Sequence, residues 1–151
     1  MNRSAALEPL SHDHHEGLAF VARLRRARRA GEDPAPLAAD VGAFWRGHLV
    51  PHFEEEEAYV LPVLERGAPD LAAQMVEEHR AIRALAEAAE AAEAGTAAWD
   101  RLDAFADALA GHIRFEEREA FPAAERLASA DTLARLGDDI RAAHDARPPA
   151  P

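Results

Sequence analysis

Apolar residues recur at spacings of three and four along most of the chain, which places them on one face of a helix with 3.6 residues per turn. One stripe reads Leu71, Met75, Ile82, Ala86 and Ala89, and another Leu102, Phe105, Leu109 and Ile113. Proline and glycine interrupt the pattern at Gly31-Glu-Asp-Pro34, Gly67-Ala-Pro69-Asp70 and Gly95-Thr96, where helices stop and start. The pattern predicts helices from about Glu8 to Ala30, Pro34 to Arg66, Asp70 to Ala94 and Ala97 to Leu127. A weaker fifth, about Asp131 to His144, precedes a tail, RPPAP, that reads as disordered. Connections of a few residues make neighbouring helices antiparallel. The expectation is an all-α, up-down-up-down four-helix bundle with a short fifth helix, one domain over residues 1–146 and a tail over 147–151.

Polar residues interrupt two stripes. The second helix goes Leu37, Val41, Trp45, Leu49, His52, Glu56, Val60, Val63, and the fourth continues from Leu109 to His112 and Glu116. The interruptions belong to an internal repeat: residues 52–62 read HFEEEEAYVLP and residues 112–122 read HIRFEEREAFP, with histidine, a Glu-Glu pair and proline in register. Asp13-His14 and Glu78-His79 pair more loosely, each near a helix start. The chain reads as two helical hairpins with matching chemistry.

Residues four apart share a helix face, with Cβ atoms about 6 Å apart. His52 with Glu56, and His112 with Glu116, can therefore each offer an imidazole and a carboxylate to one point in the interior. A buried carboxylate costs several kcal/mol without a counter-charge, and no arginine occupies a matching stripe position. With one further histidine from each hairpin, the set suits Fe, Zn, Cu or Mn and excludes an all-oxygen calcium cage. Two carboxylates between two groups of histidines can bridge a pair of ions and leave a coordination position open to a small ligand such as dioxygen.

For the first helix the residues leave a choice. His14 continues the face of Leu10, Leu18 and Val21, whereas His15 shares a face with Leu18 and Ala22. His79 lies between Met75 and Ile82 on the buried stripe. Pro51 must free a carbonyl and bend its helix, and Gly111 occupies the equivalent place before His112. Glu54, Glu55, Glu57, Glu117 and Glu119 read as a solvated face, with Glu57 and Glu117 able to orient histidines from behind. Phe53, Tyr59, Phe115, Phe121 and Trp45 read as core, and His144 as a surface residue.

Composition narrows the partners. Apolar residues are 48% of the 151, much of that alanine, and aromatics are 6%, which favours packed helices. The formal charge of −11 repels a phosphate backbone, and no aromatic residues are interleaved with basic ones, so nucleic acid is excluded as a partner. The five arginines between Arg23 and Arg29 read as the solvated end of a helix. With no cysteine, a metal can be held only by histidine and carboxylate. An apolar signal core and an apolar run of about 18 residues are both missing, so the expected location is cytoplasmic and away from membranes.

The two repeats, with DHHEGL and EEHRAI ahead of them, resemble the hemerythrin-like family and its His-His-Glu pattern, from Leu10 to about Leu127. The resemblance implies a non-haem di-iron centre bridged by two carboxylates and an exogenous oxo or hydroxo group. Carried over by motif position, its ligands are His14, His52, Glu56, His79, His112 and Glu116. It also implies a protein that binds dioxygen or nitric oxide, senses oxygen or iron, or acts in iron and oxidative-stress handling. The expectation is binding or sensing of dioxygen, nitric oxide or peroxide by a monomer or homodimer, a binding protein sooner than an enzyme. The alternative is a di-iron enzyme or iron-handling protein of oxidative or nitrosative stress. The family's oxygen carriers have a fifth histidine ligand that no position here supplies unambiguously; His48, His12 and His15 are the candidates. Ferritin-like oxidases differ, placing glutamate three residues before histidine.

Overall fold

The computed structural model describes residues 2–92 and 96–149. Among them the chain forms five helical rods and no strand. The first, α1, is Glu8–Arg29. The second, α2, runs without a break through Pro34–Phe44, Trp45–Leu49, Val50–Glu55, Glu56–Val60 and Leu61–Gly67. Then come α3, Pro69–Glu90, and α4, which joins Thr96–Phe115, Glu116–Ala120 and Phe121–Leu127. The last, α5, is Ala130–Asp145. Among the described residues no helix is long and apolar enough to cross a membrane.

The ends follow from local chemistry. Asp33 caps α2 by accepting from the Ala35 N–H at 3.0 Å, with Pro34 at the first position, where a missing N–H costs nothing. Ser129 caps α5 by accepting from Thr132. Gly31 ends α1 at φ 70°, and the Glu32 N–H returns to the Ala27 carbonyl at 3.0 Å, a closure that needs the left-handed conformation glycine adopts freely. The third rod was expected to reach Ala94 but stops at Glu90, with Ala91 as its cap. The alanine run there has helix propensity but places no large side chain on the bundle. Residues 93–95, including the break at Gly95, lie outside the described residues.

Three stretches of the long rods are π-helical: Trp45–Leu49, Glu56–Val60 and Glu116–Ala120. Each closes with an N–H reaching back five residues, Val50 to Trp45, Leu61 to Glu56 and Phe121 to Glu116. The next residue is in every case a proline, Pro51, Pro62 or Pro122. A proline ring inside a helix clashes with the carbonyl four residues back and removes one donor. A widened turn just ahead of it absorbs both defects without breaking the rod. Two of the widened turns match between the repeats; the one before Pro51 has no counterpart before Gly111.

Packing divides the interior into two apolar regions. One gathers Val21, Leu24, Leu37, Val41, Ile82, Leu102, Phe105 and Leu109. The other gathers Leu7, Leu10, Val60, Leu64, Met75, Phe115, Phe121 and Ile140, and α5 joins it through Leu136 and Ile140. Between them, His52 and Glu56 on α2 and His112 and Glu116 on α4 are buried as a polar layer. The Arg23–Arg29 run is largely exposed, as expected of a solvated helix end, and three of its arginines form surface ion pairs. Arg23 pairs with Asp40 on α2, and Arg25 with Asp107 and Arg28 with Asp103 on α4, tying three rods together at the far end of the bundle.

Candidate metal centre

The polar layer brings together His14 from α1, His52 and Glu56 from α2, His79 from α3, and His112 and Glu116 from α4, all buried. They form two overlapping groups that share both glutamates. His14 and His52 with Glu56 and Glu116 make one, and His79 and His112 with the same glutamates make the other; within each, the candidate donor atoms lie within 4.8 Å of one another. Glu56 turns Oε1 to His52 Nε2 at 2.9 Å and Oε2 to His79 Nε2 at 3.1 Å. Glu116 does the same the other way round, with Oε2 at 3.0 Å from His14 Nε2 and Oε1 at 3.0 Å from His112 Nε2. Each carboxylate thus gives one oxygen to each histidine pair.

These inner atoms have no hydrogen-bond partner: the Nε2 atoms of His14, His52, His79 and His112 and all four oxygens of Glu56 and Glu116 are buried and unsatisfied. Eight such atoms in one layer run against the near-complete pairing of buried polar groups in folded proteins. Donors about 2.1 Å from a common ion and at right angles to one another stand about 3.0 Å apart, which matches the spacings here. The residues therefore fit bound metal cations.

Behind the inner atoms stands an ordered outer ring. Every Nδ1–H donates to a carboxylate: His14 to Glu117 at 2.6 Å, His52 to Asp13 at 2.9 Å, His79 to Glu57 at 2.8 Å and His112 to Glu78 at 3.0 Å. This turns every Nε2 inward and raises its strength as a ligand. The ring repeats with the sequence. The residue after each inner glutamate supports the lone histidine of the other hairpin, and the residue before each lone histidine supports the histidine of the H-x-x-x-E pair. Glu57 and Glu117 were anticipated in this role. Asp13 and Glu78 were not, although their place directly before His14 and His79 in both halves was the signal.

Electrostatics in the metal-free chain follow the geometry. Burial opposes a charge on His79, but Glu116 and Glu56 outweigh it and push the imidazole up to about 10. By the same balance His112 is pushed up to about 9, chiefly by Glu116. Burial and the charge of Glu56 work against ionising Glu116, yet His112 and His14 hold it at about 2. Protons stand in for cations while none is bound.

Of the other histidines, His12 and His15 are exposed. His48 lies in the unmatched π turn with its ring stacked on Phe44 and Nε2 at 3.3 Å from the Asp13 carbonyl, outside both donor groups. His144 is not a free surface residue: it sits 3.5 Å from both Asp13 and Glu55. Glu55 is buried rather than part of a solvated face, because Arg147 pairs with it. Phe53 stacks on His79 at 3.9 Å and Phe121 on His14 at 5.2 Å, while Trp45 and Tyr59 are only half-buried. Trp45, Phe53, Glu57, Val76, His79 and Arg83 border a cavity of about 430 Å³ that reaches the layer from outside.

Compared with known families, residues 5–124 match the hemerythrin HHE cation-binding domain. The chain belongs to that family. The HHE match spans the first four rods up to Ala124 and so contains every inner and outer residue of the layer. Searches of curated proteins and of solved structures gave no match. A buried histidine and glutamate layer within an HHE domain suits metal binding.

Proposed function

We propose that this HHE domain holds two iron ions and uses them to bind or sense dioxygen or a related small molecule such as nitric oxide or peroxide. In this reading His14 and His52 hold one ion, His79 and His112 hold the other, and Glu56 and Glu116 bridge them within an up-down-up-down bundle. The observation that carries it is the division of each buried carboxylate, one oxygen to each histidine pair. Iron in such a centre supplies reversible electron exchange and an open coordination position.

The chain's own part is to orient and to exclude. The Nδ1 acceptors fix each ring, so that ligand geometry is set before metal arrives. The apolar regions on either side keep water from the layer, and the cavity beside His79 and Phe53 offers a small molecule a way in. One observation favours the alternative of a di-iron enzyme or iron-handling protein: with two histidines on each side and none of the three remaining candidates in the groups, both ions retain open positions.

An optical spectrum of protein loaded anaerobically with ferrous iron, recorded before oxygen, after oxygen and after its removal, tests the reading. A charge-transfer band that appears and reverses is the expected result. Irreversible oxidation moves the function to the enzyme or iron-handling reading, and failure to retain iron overturns the di-iron centre.

A further inference from the structure

The segments that flank the bundle converge on one half of the centre. Ahead of α1, Arg3 donates to the Glu117 carboxylate at 2.8 Å and to the Glu117 carbonyl at 2.9 Å, and pairs with Glu125. Beyond α5, Arg147 donates to Asp13 at 2.9 Å and to Glu55 from Nε at 3.1 Å. Glu117 and Asp13 are the carboxylates that accept from His14 and His52. Asp13 Oδ2 takes both the His52 and the Arg147 hydrogen bond, so the arginine fixes the oxygen on which the imidazole is hung. Ser11 adds a third donor to Glu117, on the oxygen that faces His14. Among the described residues no arginine pairs with Glu57 or Glu78, the acceptors of the other half.

We propose that Arg3 and Arg147 are positioning residues that clasp the His14 and His52 half of the centre, so that cation binding at that half and docking of α5 form one linked equilibrium. The proposal rests on the two-cation reading above. Its logic is reciprocal: if a docked α5 holds Asp13 in place and thereby improves His52 as a ligand, a cation on His52 must hold α5 down by the same free energy. The His79 and His112 half lacks this link: among the described residues Glu57 accepts from His79, and Glu78 from His112 and from Gln74 of its own helix, with no contact to the flanking segments. A change at one half of the centre therefore has a mechanical outlet on the surface, the amphipathic α5.

The test titrates the metal-free chain with cobalt(II), following calorimetric heat and cobalt absorption, in the wild type and in Arg147→Ala and Arg147→Lys. Two binding steps are expected in the wild type. Arg147→Ala should weaken one of them by about tenfold, the lower range for losing an outer partner of a metal-bound histidine, and leave the other in place. Arg147→Lys should recover part of the loss by restoring a cation beside Asp13. Amide exchange over residues 130–145 should slow on cobalt binding in the wild type and slow far less in Arg147→Ala. Equal weakening of both steps, or no weakening of either, overturns the clasp. So does a cobalt effect on α5 that survives in the variant. Should Arg147→Ala misfold, Arg3→Ala reads the same split through Glu117 without touching α5. A wild type that takes up no cobalt overturns the two-cation reading itself, which none of the clasp outcomes would do.

Discussion

Behind His14 and His52 stand carboxylates that are fastened. Asp13 is 3% exposed and shared between His52 and Arg147, and Glu117 is held by Arg3 and Ser11. Behind His79 and His112 stand Glu57 and Glu78, 44% and 28% exposed and paired with no arginine among the described residues, and Glu57 borders the cavity beside Phe53. The inner atoms of the two halves are nearly interchangeable, because they come from the repeated part of the sequence. The difference arises where repetition stops, in the segments ahead of α1 and beyond α4. A duplicated hairpin gives two nearly equal donor sets, and unduplicated flanks fasten the carboxylates behind one of them and leave those behind the other without an arginine.

The largest expected effect should ignore this difference. Glu116→Gln removes a ligand charge common to both histidine pairs, so both cation-binding steps should weaken by more than the roughly 100-fold that marks loss of an outer partner. Metal content per chain after dialysis measures it. A variant that keeps one tightly held ion would mean that Glu116 serves one half only, and the symmetry of the inner atoms would be misleading.

Next in size is the response to pH. His79 and His112 are pushed up to about 10 and about 9 in the metal-free fold, against about 6.5 unfolded. Their pairing therefore adds stability that is fully present below pH 6.5 and is lost as pH rises through 9 to 10. Glu116, held at about 2, adds stability that is present above about pH 4.5 and is lost as pH falls toward 2. Metal must displace the imidazole protons, so uptake should release protons and tighten by about tenfold per pH unit for each proton released near neutrality. Thermal unfolding of the metal-free chain at pH 6, 8 and 10 should show a falling midpoint, while zinc affinity rises over the same range. A flat midpoint would mean that protons do not stand in for cations at the His79 and His112 half.

Third comes the fastened carboxylate. Asp13→Asn removes one of the two carboxylates that share Arg147, leaving the arginine to Glu55 and a neutral amide oxygen, and gives His52 a neutral acceptor. It should cost about 1–3 kcal/mol of stability, the range for disturbing a buried polar network, and weaken one binding step by about 10- to 100-fold. Denaturant unfolding and zinc calorimetry read the two effects separately.

Much of this was legible in the chain before its fold. The stripes located all five rods, because apolar spacing survives the π turns to within a residue. The break in the stripes at His52, Glu56, His112 and Glu116 marked the layer, since no bundle buries carboxylates at random. What stayed hidden depended on long-range contact. The prolines at 62 and 122 were visible as part of the repeat, but their structural result is a widened turn that opens at the inner glutamate. That outcome depends on the rod continuing past the proline, which its neighbours in the bundle decide. Glu55 and Arg147 look like surface charge and tail; only the return of α5 onto α1 and α2 brings them together at Asp13. The choice of His14 over His15 rested on the motif, and its physical reason is the rotation of α1, which puts Leu10 and Val21 inside with His14 and leaves His15 in solvent.

The smallest expected effect is at the open half. Glu57→Gln keeps an oxygen that can accept from His79 Nδ1, and a side chain 44% exposed loses little when its charge is removed, because water already screens it. Stability should stay within about 0.5 kcal/mol, as for ordinary surface substitutions, and the affected binding step should weaken by less than the roughly tenfold lower bound for an outer partner. The comparison with Asp13→Asn is informative because each substitution replaces a carboxylate by its amide behind one site histidine. If the two lose affinity equally, burial and the arginine clasp contribute nothing and the halves differ only in appearance. If Asp13→Asn loses several times more, rigidity resides where the flanking segments put it, and the open half is free to adjust as a small ligand arrives from the cavity beside Phe53.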